Sequence, residues 1–338
     1  MDAAPSLPDP DALALAVASG ERAALARALN LLDDRRSEAR RRAAIFLSRL
    51  QAQMVQDKGH LIGITGPPGA GKSSLTAALI ARWRRGGLRV GVLAVDPSSP
   101  ISGGALLGDR LRMKTPVEDA GVFVRSLACR GDFGGLSAEV WPMSLVMLAA
   151  FDITLIETVG VGQREIDVAR MCDTTCFVAQ PGSGDSIQFL KAGILEVPHI
   201  LVVNKEDMGA VAQRTLSELA GVLRRRHDQE GWEVPVLSVS ATRGTGIDAL
   251  ADTLQRHHAL LAAMGGLGDR RRRYQGHWVL KRLREEFGSF GIQRLGGENA
   301  LLERIATDPG SPFGQLESFR RQMFEQLGTA RPQETTPD

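Results

Sequence analysis

The sequence predicts an α/β fold in which a mainly parallel sheet is covered by helices on both faces, with helical extensions at the N- and C-termini. Two observations carry this prediction. Apolar runs of strand length alternate with segments that are apolar at helical spacing, beginning at residues 60–65 and 74–83. Strands that are apolar throughout are typical of parallel sheets, in which crossover helices bury both faces. In addition, the glycine-rich sequence GPPGAGKS occupies residues 66–73, between the first strand and its helix.

Each remaining strand is predicted from an apolar run of similar length. These runs lie at residues 88–95, 121–126, 151–156, 174–180, 199–203 and 234–239. Polar and glycine-rich sequence follows most of them. Because ligands of such sheets bind at the carboxyl ends of the strands, we expect the functional site at that edge.

The chain is predicted to divide into four segments. They are an N-terminal helical extension at 1–58, a phosphate-loop domain at 59–262, a C-terminal helical arm at 263–330 and a disordered tail at 331–338. Residues 11–56 predict helices with a break at 19–21. The charge runs at 33–36 and 40–42 are interpreted as solvated helix faces, and residues 1–10 as disordered.

The C-terminal arm carries no chemical motif of its own. Residues 265–268 resemble a linker, and the four arginines at 270–273 are interpreted as a solvated helix start. The arm is a candidate for dimerisation or for contact with a partner. Helices packed on the sheet are the alternative.

Composition limits the class of protein. Of 338 residues, 43% are hydrophobic, which supports a sizeable core. The 41 basic residues nearly balance the 39 acidic ones, so charge favours neither a nucleic-acid nor a membrane-surface partner. No apolar run is long enough to span a bilayer, and no secretory or transit signal is evident, so we expect a cytoplasmic protein.

Three cysteines, Cys129, Cys172 and Cys176, are too few for a disulfide framework. The pair Cys172 and Cys176 is interpreted as two small apolar residues near a buried strand. Half of a metal site is the alternative, but no second pair or histidine cluster accompanies the two thiols in the sequence.

The glycine-rich sequence at 66–73 matches the phosphate-loop pattern G-x-x-x-x-G-K-[ST] in its strand-to-helix context. Glycines let the backbone wrap a phosphate chain with its N–H groups pointing inward, and the helix N-terminus adds a positive dipole end. We expect Lys72 to reach the β- and γ-phosphates and the Ser73 hydroxyl to ligate Mg²⁺. The nucleotide-binding residues predicted here are Gly66, Pro67, Pro68, Gly69, Ala70, Gly71, Lys72, Ser73 and Ser74.

A second motif, Asn204-Lys205-Glu206-Asp207, follows an apolar strand and predicts a guanine site. A carboxylate at Asp207 accepts hydrogen bonds from N1–H and the exocyclic amine of guanine, and adenine lacks this pair of donors. Such charge-assisted bonds are worth about 1.5–3 kcal/mol. After the last strand, the residues Ser240, Ala241 and Thr242 can present a backbone N–H to the guanine oxygen.

A third motif begins at Glu157, directly after the strand at 151–156. A carboxylate at such a strand end binds Mg²⁺ either directly or through one of the ion's waters. Gly160 can donate its N–H to the γ-phosphate and so sense its presence. Gln163 is a candidate for orienting the attacking water, and a surface residue in a loop is the alternative.

Two further loops are predicted at the same edge. Residues 96–110 form a glycine-rich loop placed to close over the phosphates, and residues 181–191 form a hinge candidate with Pro181 and two glycines. A loop-capping role is the alternative for the acids in the first loop, and an ordinary turn is the alternative for the second. The candidates are Asp96 and Asp109 as Mg²⁺ ligands, and Arg110, Asp185, Gln188 and Lys191 as switch or partner-coupling residues.

Together, these motifs resemble the MeaB/ArgK family of G-protein chaperones of adenosylcobalamin-dependent acyl-CoA mutases, to which the methylmalonic aciduria type A protein belongs. The resemblance implies a homodimeric P-loop GTPase of the SIMIBI type that binds GTP or GDP with Mg²⁺. It also implies docking on a mutase, gating of adenosylcobalamin delivery, removal of damaged cofactor and slow hydrolysis that the mutase stimulates. The adenosyltransferase that serves the mutase is a further possible partner.

The sequence departs from the family in two places. Family members often carry Glu-Leu-Gln after the acid of the third switch loop, where this chain has Ser186-Ile187-Gln188. The arm at 287–291 looks more like the branch once labelled as transport kinases. The implied client is therefore a methylmalonyl-, isobutyryl- or 2-hydroxyisobutyryl-CoA mutase.

Three other functions are weighed against this one. An ATP-dependent transport-associated kinase is disfavoured by the guanine motif. A nickel-delivery GTPase would carry a Cys/His cluster, but the chain has six histidines and one adjacent pair, His257 and His258. The third is a nucleotide-locked scaffold that hydrolyses nothing.

Overall fold

The computed structural model describes residues 7–54, 58–97, 119–129, 139–158, 171–182, 198–222 and 231–328. The chain forms two compact units. One, the sheet unit, comprises Val55–Val140 and Met147–Leu267. The other, the helical unit, comprises Met1–Met54, Trp141–Val146 and Gly268–Asp338.

The helical unit contains six helices in its described part. α1 begins after Asp9, whose carboxylate accepts from the backbone N–H of Ala12 at 3.1 Å, and Ser311 caps the last helix in the same way. Leu25, Leu29 and Leu32, which lie at helical spacing, are buried. The helices are α1 Pro10–Ala18, α2 Arg22–Asp33, α3 Ser37–Gln53, α8 Leu267–Arg294, α9 Glu298–Thr307 and α10 Pro312–Gln326, and α8 is interrupted by a kink at Gly288, whose φ of 64° is not helical.

The described residues of the sheet unit form seven strands in the order β3-β2-β4-β1-β5-β6-β7. Every pair of neighbours is parallel, which confirms the predicted fold class. β1 lies in the centre, between β4 and β5, so the loop that follows it has a strand end on either side. The strands are β1 His60–Thr65, β2 Val90–Pro97, β3 Val122–Cys129, β4 Ile153–Thr158, β5 Thr174–Ala179, β6 Ile200–Val203 and β7 Val236–Ser238.

The core of the sheet unit lies on both faces of the sheet. Alternate residues of β5 and β6 point to opposite faces, since side chains on a strand alternate with period two. Val178 and Val202 belong to a cluster with α4 and α7, whereas Phe177 and Leu201 belong to one with α6. Each fully buried aliphatic or aromatic side chain contributes about 1.5–3 kcal/mol. The helices are α4 Lys72–Arg85, α5 Val140–Ala150, α6 Ala210–Val222 and α7 Ile247–Ala263.

Three local predictions were wrong. Asp33 ends α2, but residues 34–36 form the turn between α2 and α3 and not a helix face, because the Asp34 carboxylate accepts from both the backbone and the guanidinium of Arg36. Such side-chain bonds compete with helix continuation. Arg270 is only 7% exposed, so that part of the arginine run is not solvated. The linker is shorter than predicted, because α8 already begins at Leu267.

Two other boundaries also differ from the prediction. Residues 7–10 are ordered, with Asp9 capping α1, whereas residues 1–6 and the predicted tail at 331–338 lie outside the described part. β4 extends to Thr158, so Glu157 lies within the strand and does not follow it. Backbone pairing explains the extension, because Glu157 is in register with Ile64 of β1 and Ala94 of β2.

Cys172 and Cys176 are buried, as predicted, and neither takes part in a disulfide. Burial raises the pKa of the Cys176 thiol to about 12 and also raises that of Cys172, so neither is a reactive thiolate. The Cys129 side chain lies outside the described part. No helix among the described residues is both long and apolar enough to cross a bilayer.

Candidate nucleotide site

The loop at 66–71 connects the central strand β1 to α4 and depends on its glycines. Gly66 has φ 141°, and a Cβ there would lie 2.1 Å from the Val178 carbonyl oxygen. Gly71 has φ 86°, and its Cβ would lie 2.4 Å from Asn204 Nδ2. Both positions therefore exclude a side chain, since backbone and a buried amide already fill the space. Pro68, Gly69 and Ser74 are exposed around the loop, whereas Pro67 and Ala70 are buried.

Lys72 is the first residue of α4 and is only 7% exposed. Its ammonium donates to the carbonyl oxygens of Gly66 at 2.7 Å and Pro67 at 2.9 Å. The loop thus folds around the cation of the same motif. A phosphate chain offers oxygens that this ammonium can bind in exchange for the two carbonyls.

Ser73 and Glu157 meet across the β1–β4 pair. The Ser73 hydroxyl donates to Glu157 Oε1 at 2.5 Å, and Glu157 is 3% exposed. Register explains the approach: β1 and β4 end together, and α4 starts directly above them. A hydroxyl and a carboxylate oxygen that converge in this way are the hard oxygen donors that Mg²⁺ prefers.

The described residues therefore fit a magnesium ion. They contain no cluster of three or more His, Cys, Asp or Glu side chains that could hold a metal unaided. Mg²⁺ does not need such a cage, because it commonly keeps several waters and uses substrate phosphates together with one or two protein groups.

A pair of threonine hydroxyls links the strand ends next to this site. Thr158 Oγ1 donates to Thr65 Oγ1 at 3.1 Å, and both residues are 2% exposed. They stand where the two strands diverge, β1 into the phosphate loop and β4 into the segment that follows. Sequence analysis did not predict this contact, although Thr65 directly precedes the phosphate loop and Thr158 lies within the motif that begins at Glu157.

Asn204 connects three loops. Its Nδ2 donates to the Ala70 carbonyl at 2.9 Å, and its Oδ1 accepts from the Ala241 backbone N–H at 3.2 Å. The side chain is buried, with 2% exposure. The motif after β6, the phosphate loop and the loop after β7 are thereby held together by one amide. The sequence predicted Asn204 as a nucleotide ligand but not as this bridge.

Lys205 turns the chain so that Asp207 faces solvent. It has φ 60°, and it is the one non-glycine residue with positive φ in the described part of the chain. The 3₁₀ turn Glu206–Met208 follows, anchored by the Glu206 N–H on the Val239 carbonyl at 2.9 Å. Asp207 is consequently exposed at the carboxyl edge of the sheet.

The Ser240 hydroxyl orients the Asp207 carboxylate. It donates to Asp207 Oδ1 at 2.6 Å and is itself 1% exposed. This bond lowers the pKa of Asp207, assisted by the residue's own backbone N–H and the charges of Arg243 and Lys205. The carboxylate is therefore held ionised and in one orientation. Sequence analysis expected only a backbone N–H from residues 240–242 and missed the hydroxyl.

Several predicted site residues cannot be placed. Asp96 lies in β2, where its backbone pairs with Ala128 of β3, but its side chain is outside the described part. Gln180 at the end of β5, which was not predicted, brings its Oε1 to within 3.1 Å of where a Gly69 Cβ would stand. The predicted residues outside the described ranges are Asp109, Arg110, Gly160, Gln163, Asp185, Gln188 and Lys191.

Comparison with known proteins identifies the family. The family model described as methylmalonyl Co-A mutase-associated GTPase MeaB matches residues 25–290. The chain belongs to the MeaB family. The GTPase ArgK of Escherichia coli is 38% identical over 315 residues, which cover 89% of this chain and 93% of that protein. A mouse protein, the mitochondrial methylmalonic aciduria type A homolog, is 34% identical over 287 residues, covering 81% and 69% of the two chains.

The fold agrees with that assignment. A crystal structure of a LAO/AO transport system kinase superposes with a TM-score of 0.67 at 26% identity, covering 97% of this chain and all of that one. The predicted resemblance to the MeaB/ArgK family is confirmed. This MeaB-family chain is a P-loop GTPase, and its Asn204–Asp207 motif and phosphate loop lie at the same edge of the sheet.

Proposed function

We propose that this MeaB-family GTPase hydrolyses GTP to GDP and phosphate and uses the cycle to gate adenosylcobalamin loading of an acyl-CoA mutase. The observation that carries the nucleotide part is the oriented carboxylate of Asp207, held by Ser240 and tied to the phosphate loop through Asn204. The family's description as mutase-associated supports the client part.

Guanine selectivity follows from the carboxylate. Ser240 engages Oδ1 of Asp207, which leaves Oδ2 and the remaining lone pairs facing solvent for the two donors of guanine. ATP would present an acceptor and no matching donor pair, so the carboxylate would lose its solvation without gaining bonds. The loop at 240–242 would supply a backbone N–H to the base oxygen; the Ala241 N–H is donated to Asn204 Oδ1 in this structure and would have to leave that acceptor to do so.

Charge on the phosphates is balanced by Lys72 and by the loop amides, while Ser73 and Glu157 would hold Mg²⁺ directly or through its water. Bound magnesium would neutralise the charge that develops on the transferred phosphoryl group. Asp96 and Asp109 complete the proposed ligand set, Gly160 senses the γ-phosphate, and Gln163 orients water.

The cycle also needs a partner. We assign Arg110, Asp185, Gln188 and Lys191 to coupling between nucleotide state and client, and the arm at 263–330 to a homodimer contact. The protein acts in the cytoplasm in this proposal. GTP turnover is slow until the mutase orders these segments, as other GTPases are slow without a partner.

The guanine assignment is tested by Asp207→Asn. An amide at 207 should weaken GDP binding at least tenfold and favour xanthosine nucleotides, whose base offers an acceptor where guanine offers a donor. Asp252→Asn is the matched control, since Asp252 is an exposed carboxylate on α7 of the same unit. Isothermal calorimetry with GDP, XDP and ADP measures all three. Unchanged GDP affinity in Asp207→Asn, or ADP binding as tight as GDP in the wild type, would refute the assignment.

The client assignment is tested by phosphate release. Purified protein with saturating GTP and Mg²⁺ should turn over faster when an apo acyl-CoA mutase is added, and adenosylcobalamin transfer to that mutase should require GTP. The three mutases named above are assayed separately, with a cobalamin enzyme of another class as control. Equal turnover with and without each mutase would remove the chaperone role while leaving the GTPase assignment intact.

A further inference from the structure

Four of the six histidines of the chain gather at one place in the sheet unit. His60 begins β1, His199 precedes β6, and His257 and His258 lie in α7. The rings of His60 and His258 stack with centroids 4.4 Å apart, and those of His199 and His257 stand 4.5 Å apart. This histidine cluster lies at the amino-terminal edge of the strands, opposite the nucleotide site.

Three of the four rings are almost inaccessible to solvent. His257 is 0% exposed, His60 4% and His199 8%. Trp232 packs against the cluster, with the centroid of its ring 5.0 Å from that of His257 in a T-shaped arrangement and its Nε1 donating to the His199 carbonyl at 2.8 Å. Burial of this kind penalises a charged imidazole.

Hydrogen bonds fix the protonation of His199. The Thr175 backbone N–H donates to His199 Nδ1 at 2.9 Å. A nitrogen that accepts a hydrogen bond carries no proton, so His199 is neutral with its proton on Nε2. Protonation at Nδ1 would place two N–H groups against each other and break the contact with β5.

A shared hydroxyl constrains His60 and His257. Thr174 Oγ1 lies 2.6 Å from His60 Nε2 and 2.7 Å from His257 Nδ1. Its one proton points to one ring, which must accept it, so at most one of the two rings can be an imidazolium while both bonds stand. Together with His199, at least two imidazoles of the cluster are therefore neutral in this fold.

The arrangement is not that of a metal site. The ring nitrogens described above form hydrogen bonds with a hydroxyl or a backbone N–H. The described residues also contain no group of three or more His, Cys, Asp or Glu side chains that could hold a metal ion. We propose that the histidine cluster is a proton-sensitive lock on the amino-terminal edge of the sheet. By this we mean that its hydrogen bonds stabilise that edge while the imidazoles are neutral and break when acid protonates them.

Several charged and titratable groups lie on the described elements around the cluster. Two carboxylates on the elements packed around the cluster accept backbone hydrogen bonds, Asp173 from the Leu61 N–H at 2.9 Å and Asp152 from the Arg89 N–H at 2.7 Å. The other charged or titratable groups near these elements are Lys58 before β1, Cys172 before β5, Glu233 beside Trp232 and Arg256 on α7. Asp173 is fully buried and could balance the charge of one imidazolium. The two hydrogen bonds of Thr174 Oγ1 do not allow His60 and His257 both to be imidazolium ions.

The test is the pH dependence of unfolding between pH 5.5 and 7.5 in denaturant titrations of the full chain. Histidines of the unfolded chain take up protons near pH 6.5. If two imidazoles stay neutral in the folded protein, the unfolding constant should therefore rise up to about a hundredfold for each pH unit below 6.5. His199→Asn keeps an acceptor for the Thr175 N–H but has no titrating ring. In this variant the rise of the unfolding constant should fall to about tenfold per pH unit. His277→Asn, at an exposed histidine of α8, is the matched control and should match the wild type.

A second measurement covers the case in which His199→Asn does not fold. Long-range ¹H–¹⁵N spectra of the wild type should show His199 as the Nε2–H tautomer throughout this range. Equal pH slopes in wild type and His199→Asn, or a His199 ring that titrates freely in the folded protein, would overturn the lock. Neither result bears on nucleotide binding at the opposite edge.

Discussion

Gly71→Ala offers a quantitative test of how the phosphate loop is supported. Gly71 has φ 86°, and an alanine in that left-handed conformation costs about 1–2 kcal/mol. Its Cβ would stand 2.4 Å from Asn204 Nδ2, closer than any real contact, so the amide must move. Moving it breaks the 2.9 Å bond to the Ala70 carbonyl, and a buried acceptor left unpaired costs about 1–3 kcal/mol.

Gly87→Ala separates these two terms. Gly87 follows α4 with φ 79°, almost the same conformation, but a Cβ there meets nothing within 4 Å. We expect Gly87→Ala to lose about 1–2 kcal/mol and Gly71→Ala about 2–5 kcal/mol. Urea titrations of nucleotide-free protein measure the difference, and GDP calorimetry should show weakened binding in Gly71→Ala alone. Equal losses in both variants would refute the idea that Asn204 supports the loop.

The other predictions concern the contacts around the same edge. Asn204→Ala should destabilise the fold by about 2–4 kcal/mol in urea titrations, because it leaves two backbone groups without their partners, whereas the exposed Asn299→Ala should change it by less than about 0.5 kcal/mol. Ser240→Ala should raise the pKa of Asp207. A lowered carboxylate pKa gives stability that is present above about pH 4 and lost as pH falls through the lowered value, so the variant should lose less stability on acidification; an unchanged acid limb would contradict this. Thr158→Val should cost about 1 kcal/mol and Thr158→Ser should recover it, while a Val variant as stable as the wild type would show that the hydroxyl pair is unimportant.

Much of the fold was predictable because parallel strands bury both faces. Such strands are apolar throughout, so all seven appear in the sequence as short runs, and their ends are correct to within a few residues. Glu157 was the informative exception. A buried carboxylate interrupts the apolar pattern, so the strand was predicted to stop before it, although backbone pairing carries β4 through it.

The motifs of the site were also visible in the sequence, whereas the contacts between them were not. Asn204 and Ala241 lie in loops far apart along the chain, and only the sheet order brings them together. The same reasoning applies to Ser240 and Asp207. The histidine cluster was missed for a related reason: His60, His199 and His257 sit in separate segments, and only strands with a common end place them side by side.

The single amide of Asn204 links the two loops to which we assign phosphate and base recognition. It touches the phosphate loop with one end and the base-facing loop with the other, so ordering either loop restricts the other. Fragments of the nucleotide should then help one another: guanosine should strengthen pyrophosphate binding, and pyrophosphate should strengthen guanosine binding by the same factor, as linkage requires. If Asp207 selects the base as proposed, a defect in the phosphate loop should also weaken base selectivity, because Asn204 links the two loops.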